Sequence, residues 1–292
     1  MSPTPPRDPL VATFSVVATD GNDWGVAVAS KFLAVGSAVP AARAEVGAIA
    51  TQAMANTSYK TLGLELLEAG RPASEVVEAL TGDDDERESR QVGVVDRKGG
   101  AATYTGANCF EWAGGRTGQG CACQGNILAG PEVVDALLTV FESTQGDLVD
   151  RLLAALTAAD VAGGDRRGRQ SAALLVVRQH GGYRGLDDRM VDLRVDDHPQ
   201  PIPELTRLLG LWKLHFERVS PDSFLPIDDQ LAARIGSALQ SRRRLPKAAG
   251  REKLWIAFDA WIAEENLEER SISHDSIDPL VLAKLEGTPP FG

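Results

Sequence analysis

The pattern that most constrains the fold is an apolar run, a short polar turn and a second apolar run near the N-terminus. Residues 12–18 are β-branched and apolar, residues 20–23 contain Asp, Gly and Asn, and residues 25–30 are small and apolar. Two such runs around a short turn are typical of an antiparallel β-hairpin. The sequence therefore predicts that the first domain begins with a hairpin.

The register of this hairpin places two polar residues close to the first strand's first position. With this turn, the numbers of two residues that face each other across the hairpin add up to 43 or 44. Thr13 is therefore expected opposite Ser30 or Lys31. A threonine hydroxyl is a weak nucleophile, but a threonine with a free α-amine carries its own base. Ser30 would add a hydrogen bond and Lys31 a positive charge. Threonine is also common in strands, so a purely structural role for Thr13 is the alternative.

Strand and helix patterns alternate along the next 150 or so residues. Strands are predicted over residues 46–51, 91–96, 101–105, 121–126 and 171–177. Helices are predicted over residues 57–69, after Pro72, and over residues 131–142 and 147–159. Because the strands include adjacent antiparallel pairs, we expect an α+β fold of sheet layers covered by helices rather than a doubly wound parallel sheet.

A proline-rich, acidic joint at residues 196–203 divides the chain. Glycine is frequent before this joint and rare after it, where helical patterns dominate. An amphipathic helix is expected over residues 203–217. These shifts predict one domain at residues 12–217 and a smaller, mainly helical domain at residues 218–292.

Charge and the N-terminal sequence limit the classes of partner. The net charge is −11 at pH 7, which opposes binding to a phosphate backbone and argues against a nucleic-acid partner. No apolar stretch reaches the roughly 18–20 residues of a membrane span. Residues 1–10 contain four prolines and lack the apolar core of a signal peptide. We therefore expect a cytoplasmic protein without a membrane partner, and a homo-oligomer is left open.

The three cysteines, Cys109, Cys121 and Cys123, cannot all pair and do not form a disulfide framework. Cys121 and Cys123 are expected on one face of a strand as buried thiols. Neither they nor the four scattered histidines offer a zinc ligand set. The sequence thus predicts no metal and no cofactor.

Amide side chains form a first group of binding candidates. Gln52 and Asn56 lie where a strand is expected to lead into a helix, and backbone N–H groups at such a junction suit an oxyanion. An ordinary helix cap is the alternative. Gln124 and Asn126 flank a glycine and are interpreted as a substrate-positioning pair or, alternatively, as turn-stabilising side chains.

A glycine-rich loop before the last predicted strand supplies a second group. Asp165, Arg169 and Gln170 lie in or beside this loop. Arg169 could bind a substrate carboxylate through both guanidinium nitrogens. The alternative is that the loop is held by a salt bridge from Asp165 to Arg166 or Arg167.

Blocks of sequence throughout the first two thirds of the chain resemble one bacterial and archaeal family. They are residues 13–18, 24–32, 34–40, 47–53, 91–96, 124–130 and 162–172. The family is the "domain of unknown function 1028" family, placed among the N-terminal-nucleophile (Ntn) hydrolases. The resemblance implies a four-layer αββα sandwich whose nucleophile heads the first strand. Residues 219–292 resemble a peptidoglycan-binding domain that follows this family's core.

Two functions from different classes follow from these observations. The first is an amidohydrolase that cleaves a small amide or peptide-like bond with Thr13. Because twelve residues precede Thr13 and an Ntn nucleophile must be N-terminal, this hypothesis requires cleavage between Ala12 and Thr13. The second is a non-catalytic binding or scaffold protein that binds cell-wall fragments or a protein partner.

Overall fold

The structure is a computed structural model that describes residues 13–217, 220–270 and 273–288. It divides into two units, the first ending at Thr206 and the second beginning at Arg207. The strands of the first unit are β1 (Thr13–Thr19), β2 (Trp24–Ser30), β3 (Pro40–Arg43), β4 (Gly47–Ala53), β5 (Arg90–Asp96), β6 (Ala101–Thr105), β7 (Gly114–Gly118), β8 (Cys121–Gly125), β9 (Ser171–Val177) and β10 (Arg189–Val195). Its helices are α1 (Val35–Ala38), α2 (Ser58–Glu68), α3 (Ala73–Gly82), α4 (Glu132–Ser143) and α5 (Leu148–Val161), with single 3₁₀ turns at Arg87–Ser89 and Tyr183–Gly185.

The first sheet has β1 near its middle. Its six strands run in the order β10-β9-β2-β1-β8-β7, and neighbouring strands are antiparallel. Thr13 pairs with Ser30 across β1 and β2, so the predicted hairpin and its register are confirmed. Helices α4 and α5 pack together and against this sheet.

The second sheet has four antiparallel strands in the order β3-β4-β5-β6. The strands predicted over residues 91–96 and 101–105 are confirmed as β5 and β6, which pair with each other as a hairpin. Helices α2 and α3 pack against this sheet through a cluster that includes Ile49, Leu67, Val76 and Val92. Glycine at position 63 permits close packing, because a Cβ there would lie 2.3 Å from Cδ1 of Ile49.

The two sheets also contact each other, and apolar side chains from both fill the space between them. Val17 and Val28 from the first sheet pack in one cluster with Ala48, Ala50 and Val95 from the second. The inner strands β1, β2 and β4 therefore bury both faces, one against helices and one against the other sheet, which explains their largely apolar sequences. The first unit is a mixed α/β structure.

Helix α6 (Pro201–Phe216) spans the division between the units and begins inside the proline-rich joint. Proline is tolerated there because the first turn of a helix does not use its N–H groups internally. The predicted domain boundary after residue 217 stays a prediction.

The second unit contains helices α7 (Asp229–Ser241), α8 (Arg251–Glu264) and α9 (Pro279–Glu286), strands β11 (Leu225–Pro226) and β12 (Ser276–Ile277), and 3₁₀ turns at Pro221–Ser223 and Glu268–Arg270. One face of α8 is apolar, and its residues Leu254, Phe258, Trp261 and Ile262 are buried in the core of this unit. Trp255 is half-buried and stacks on His274, with ring centroids 4.6 Å apart. In the described part of the chain, no helix combines the length and apolar character needed to cross a membrane.

Candidate functional site

Thr13 begins β1 and is completely buried in the intact chain. Its hydroxyl donates a hydrogen bond to Ser30 Oγ at 3.3 Å. Its carbonyl oxygen accepts from the backbone N–H of Asn126 at 2.9 Å and from Gln52 Nε2 at 3.4 Å. The fold thus brings together predicted site residues that are more than one hundred positions apart, from β2, β4 and the end of β8.

Ser15 and Gln91, which the sequence reasoning missed as site residues, connect these side chains. Ser15 Oγ donates to Gln52 Oε1 at 2.7 Å and accepts from Gln124 Nε2 at 2.7 Å. Gln91 Oε1 accepts from Gln52 Nε2 at 2.8 Å and from Asn126 Nδ2 at 3.0 Å. The available signal was a polar residue at an inward position of an otherwise apolar strand.

We call this buried set of neutral side chains the amide network. Its members are Thr13, Ser15, Ser30, Gln52, Gln91, Gln124 and Asn126. Gln91 anchors it, because Nε2 donates to the carbonyl of Gly125 at 2.8 Å and to Thr105 Oγ1 at 2.9 Å. Within the described residues, Gln124 Oε1 and Asn126 Oδ1 are buried without a hydrogen-bond partner. An unpaired buried acceptor costs about 1–3 kcal/mol, so the network is polar beyond what packing requires.

The position of Gln52 differs from the sequence prediction. Gln52 lies inside β4, where it pairs with Gln91 of β5, and α2 begins only at Ser58. The structure thus places Gln52 within the strand rather than in the segment that leads into the helix, and its predicted oxyanion role stays a prediction. Its side-chain amide takes part in the hydrogen bonds described above.

Asn56 belongs to an ionic cluster before α2. Its Nδ2 donates to Asp84 Oδ2 at 3.0 Å, and the same oxygen accepts from Tyr59 at 2.8 Å and Arg90 at 3.0 Å. Burial opposes ionisation of Asp84, but the hydrogen bonds from Arg90, Asn56 and Tyr59 outweigh it and hold the pKa well below its usual range. Although Asp84 belongs to an acidic run at residues 83–86, its side chain is only 10% exposed.

Asp165 holds the glycine-rich loop to the end of β2. Its carboxylate accepts from the Lys31 backbone N–H at 3.0 Å and forms an ion pair with Arg167 at 2.9 Å. The predicted loop salt bridge is thus confirmed with Arg167. The ammonium group of Lys31 donates to the carbonyl of Arg169 at 3.2 Å. Ser30 rather than Lys31 is the direct neighbour of Thr13, and the catalytic role of Lys31 stays a prediction.

Arg169 and Gln170 follow that loop with their side chains engaged by carboxylates. Arg169 Nε lies 2.7 Å from Asp160 Oδ1, and this partner raises the pKa of the guanidinium group. Gln170 Nε2 donates to Asp197 at 3.1 Å, while its backbone N–H donates to the Ser30 carbonyl at 3.0 Å. Their binding roles, like that of Asp165, stay predictions.

The thiols lie outside this network. Cys121 and Cys123 are fully buried on β8, as predicted, and all three cysteines are free. Burial raises the pKa of Cys109 to about 11, which keeps that thiol protonated and a poor nucleophile at neutral pH. Among the described residues, no group of three or more His, Cys, Asp or Glu side chains is arranged to hold a metal ion.

Fold and site together define a mixed α/β protein with a neutral amide network buried at the head of a central strand. Residues 13–205 match the model of the family of unknown function DUF1028, and the chain belongs to this family. The match covers almost all of the described part of the first unit.

A solved structure supports the same assignment. The chain is similar to a protein from Silicibacter pomeroyi of the same family, whose crystal structure it matches with 32% sequence identity and a TM-score of 0.63. The match covers 69% of this chain and 86% of that chain. A comparison with curated proteins finds no match.

Proposed function

We propose that the chain is an Ntn-type amidohydrolase that cleaves a small amide or peptide-like bond with Thr13 as nucleophile. The observation that carries this proposal is the position of Thr13. It begins a central strand, its hydroxyl is bonded to Ser30, and its main chain is held by Asn126 and Gln52. A strand that only packs needs no such polar surroundings for its first residue, because buried polar groups add no stability over a well-packed apolar core.

The arrangement of layers supports the same proposal. Helices α2 and α3 cover one sheet, α4 and α5 cover the other, and the two sheets face each other. We interpret this order as the four-layer αββα sandwich of Ntn hydrolases. The amide network lies where β1 and β8 of one sheet approach β4 and β5 of the other.

The chemistry follows from a free α-amine at Thr13. The amine takes the proton of Oγ1 as that oxygen attacks the substrate carbonyl carbon, and a tetrahedral oxyanion forms. The ammonium then gives the proton to the leaving amine as the C–N bond breaks, which leaves an acyl ester on Thr13. Water, deprotonated by the same amine, attacks the ester and releases the acid. Ser30 orients Oγ1. Asn126 Nδ2 gives one of its two N–H groups to Gln91 and supplies the other to the oxyanion, while Gln52 holds the Thr13 main chain and Gln91.

The intact chain is the precursor in this proposal. Its Thr13 nitrogen belongs to a peptide bond and cannot act as a base, and its side chain is inaccessible to substrate. Cleavage of the bond after Ala12, a residue outside the described part of the chain, supplies the amine and uncovers the hydroxyl. No cofactor is required for these steps.

A strained β-lactone tests the proposal without a known substrate, because an activated threonine hydroxyl opens it and keeps the acyl group. We expect one adduct per chain on the peptide that begins with Thr13. Thr13→Val keeps the side-chain shape without the hydroxyl and should abolish labelling, whereas Thr13→Ser should retain a measurable fraction. Labelling that survives Thr13→Val would overturn the assignment of the nucleophile.

The second candidate is a binding protein that keeps this fold without turnover. Two observations favour it. Thr13 is fully buried, and the side chains of the amide network form most of their hydrogen bonds with one another. Binding of peptidoglycan fragments by the second unit is part of this candidate. A chain that stays full-length, resists the β-lactone and binds cell-wall fragments would favour it.

A further inference from the structure

A cavity of about 320 Å³ lies between the two sheets at the edge formed by β3, β9 and β10. Residues of α1 and α2 complete its lining. Small side chains such as Ala42 and Ala173 leave this space open. Packing is tight at Gly36, where a Cβ would lie 2.6 Å from that of Ala173 and 3.2 Å from Cδ of Arg194. Thr13 and the rest of the amide network do not line the cavity.

The charged residues that line this cavity are unbalanced. Lys60, Arg189 and Arg194 supply three positive charges, and Asp192 supplies one negative charge. Both guanidinium groups converge on that carboxylate, with Arg189 at 3.0 Å from one oxygen and Arg194 at 3.1 Å from the other. The surplus of two positive charges stands out in a chain whose net charge is −11.

Lys60 of α2 is the third positively charged residue in the lining of the cavity. Its ammonium group donates to the carbonyl of Ser37 at 2.9 Å, which ties α2 to α1. Burial and the nearby Arg194 lower the pKa of Lys60. A bound anion would offset both effects, because opposite charge favours the protonated amine.

We propose that this cavity is a binding site for a small oxyanion, a phosphate or a carboxylate attached to a short apolar body. Arg189, Arg194 and Lys60 bind the oxyanion, and Ala42 and Ala173 contact the apolar part. Paired guanidinium groups suit the planar or tetrahedral oxygens of such anions. The volume lies at the lower end of the range for small-molecule sites. The site is separate from Thr13 and does not depend on hydrolysis.

Asp192 competes with the ligand in this proposal. Its carboxylate accepts one hydrogen bond from each arginine, and its negative charge repels an incoming oxyanion. Asp192→Asn should therefore strengthen anion binding by about threefold to tenfold, which corresponds to roughly 0.7–1.4 kcal/mol. Arg194→Ala and Lys60→Ala should weaken it by about fivefold or more.

The matched control is the ion pair at the opposite edge of the same sheet. Arg116 of β7 lies 3.1 Å from Asp135, with its side chain 44% exposed against 41% for Arg194. Asp135→Asn changes the net charge by the same amount as Asp192→Asn, so the difference between the two variants reports the cavity alone. We expect Asp135→Asn to change affinity by less than about twofold.

Calorimetric titration of the full chain at constant ionic strength provides the measurement, with inorganic phosphate and butyrate as separate probes. The proposal predicts saturable one-to-one binding of at least one probe, strengthened by Asp192→Asn alone. Tighter binding of phosphate identifies a phosphate-bearing ligand, and tighter binding of butyrate a carboxylate with an apolar tail. Failure of both probes to bind the native chain and Asp192→Asn would overturn the proposal. Equal effects of Asp192→Asn and Asp135→Asn would also overturn it.

Discussion

Two buried polar clusters, one in each unit of the chain, differ in their charge and in how their side chains are paired. In the first unit the amide network is neutral and, among the described residues, leaves Gln124 Oε1 and Asn126 Oδ1 without partners. In the second unit Arg270 and Asp278 form a buried ion pair at 2.5 Å. Arg270 also donates to the carbonyl of Lys213, and Asp278 caps α9 by accepting from the Leu280 N–H at 2.8 Å.

This difference distinguishes a buried ion pair that stabilises the fold from a buried network that is a candidate active site. The ion pair joins chain segments of the second unit, and both of its side chains also hydrogen-bond to the backbone of those segments. Removal of the pair should therefore affect stability alone. The amide network retains unused acceptors beside a threonine that begins a strand. Polar groups that are buried at a cost and incompletely paired are typical of functional sites.

The largest stability effect is expected in the second unit. Arg270→Met should destabilise the chain by about 3–5 kcal/mol, because it leaves the carboxylate of Asp278 buried without its partner. Arg251→Met is the matched control, since Arg251 forms an exposed pair with Asp229 at 3.4 Å, and should cost less than about 0.5 kcal/mol. Equilibrium urea unfolding followed by tryptophan fluorescence measures both. Equal costs would contradict the structural role of the buried pair.

A smaller loss of stability is expected when the amide network loses Gln91. Gln91→Leu removes the partner of Gln52, Asn126 and the Gly125 carbonyl, and should cost about 2–3 kcal/mol. Gln170→Leu removes an exposed hydrogen bond to Asp197 and should cost less than about 0.5 kcal/mol. The same urea titration compares them. If Gln91→Leu left the midpoint unchanged, the network would not be a connected unit.

The smallest changes in stability are expected from two glycine-to-alanine substitutions, one of which destabilises the chain while the other stabilises it. A Cβ at Gly93 would lie 2.0 Å from Gln124 Oε1, so Gly93→Ala should displace that side chain and cost about 1–2 kcal/mol. Gly236 lies inside α7, where a Cβ would meet Leu254 at an ordinary 3.5 Å. Gly236→Ala should therefore stabilise the second unit by about 0.5–1 kcal/mol. Thermal unfolding midpoints should move in opposite directions, and a shift in the same direction would contradict the packing described.

Local sequence patterns predicted those elements of the fold in which an apolar run ends at a clear turn or glycine signal. The β1–β2 register followed from the turn length, and α2 ends before Gly70, whose φ of +88° suits a helix terminus. The patterns did not predict β7, which consists of Gly, Arg and Thr, or β10, which alternates charged and apolar residues. Both are edge strands, in which partner strands rather than local propensity decide the conformation.

The candidate site was predicted less completely for the same reason. Thr13, Gln52, Gln124 and Asn126 were singled out, but their meeting point depends on the packing of one sheet on another. Gln91 contacts Gln52 on the neighbouring strand of its own sheet and Asn126 at the end of β8 in the other sheet. No spacing along the chain encodes the second contact. The engagement of Arg169 by Asp160 likewise depends on how the loop returns to α5.

The mass of the purified chain tests the central claim most directly. Loss of residues 1–12 lowers the mass by about 1.3 kDa at the chain's mean residue mass and leaves Thr13 with the free amine that the mechanism requires. We expect intact-mass spectrometry to find the shortened species in the native chain and in Thr13→Ser, and the full-length species alone in Thr13→Val. A full-length chain that hydrolyses amides, with the same activity in Thr13→Val, would contradict the account.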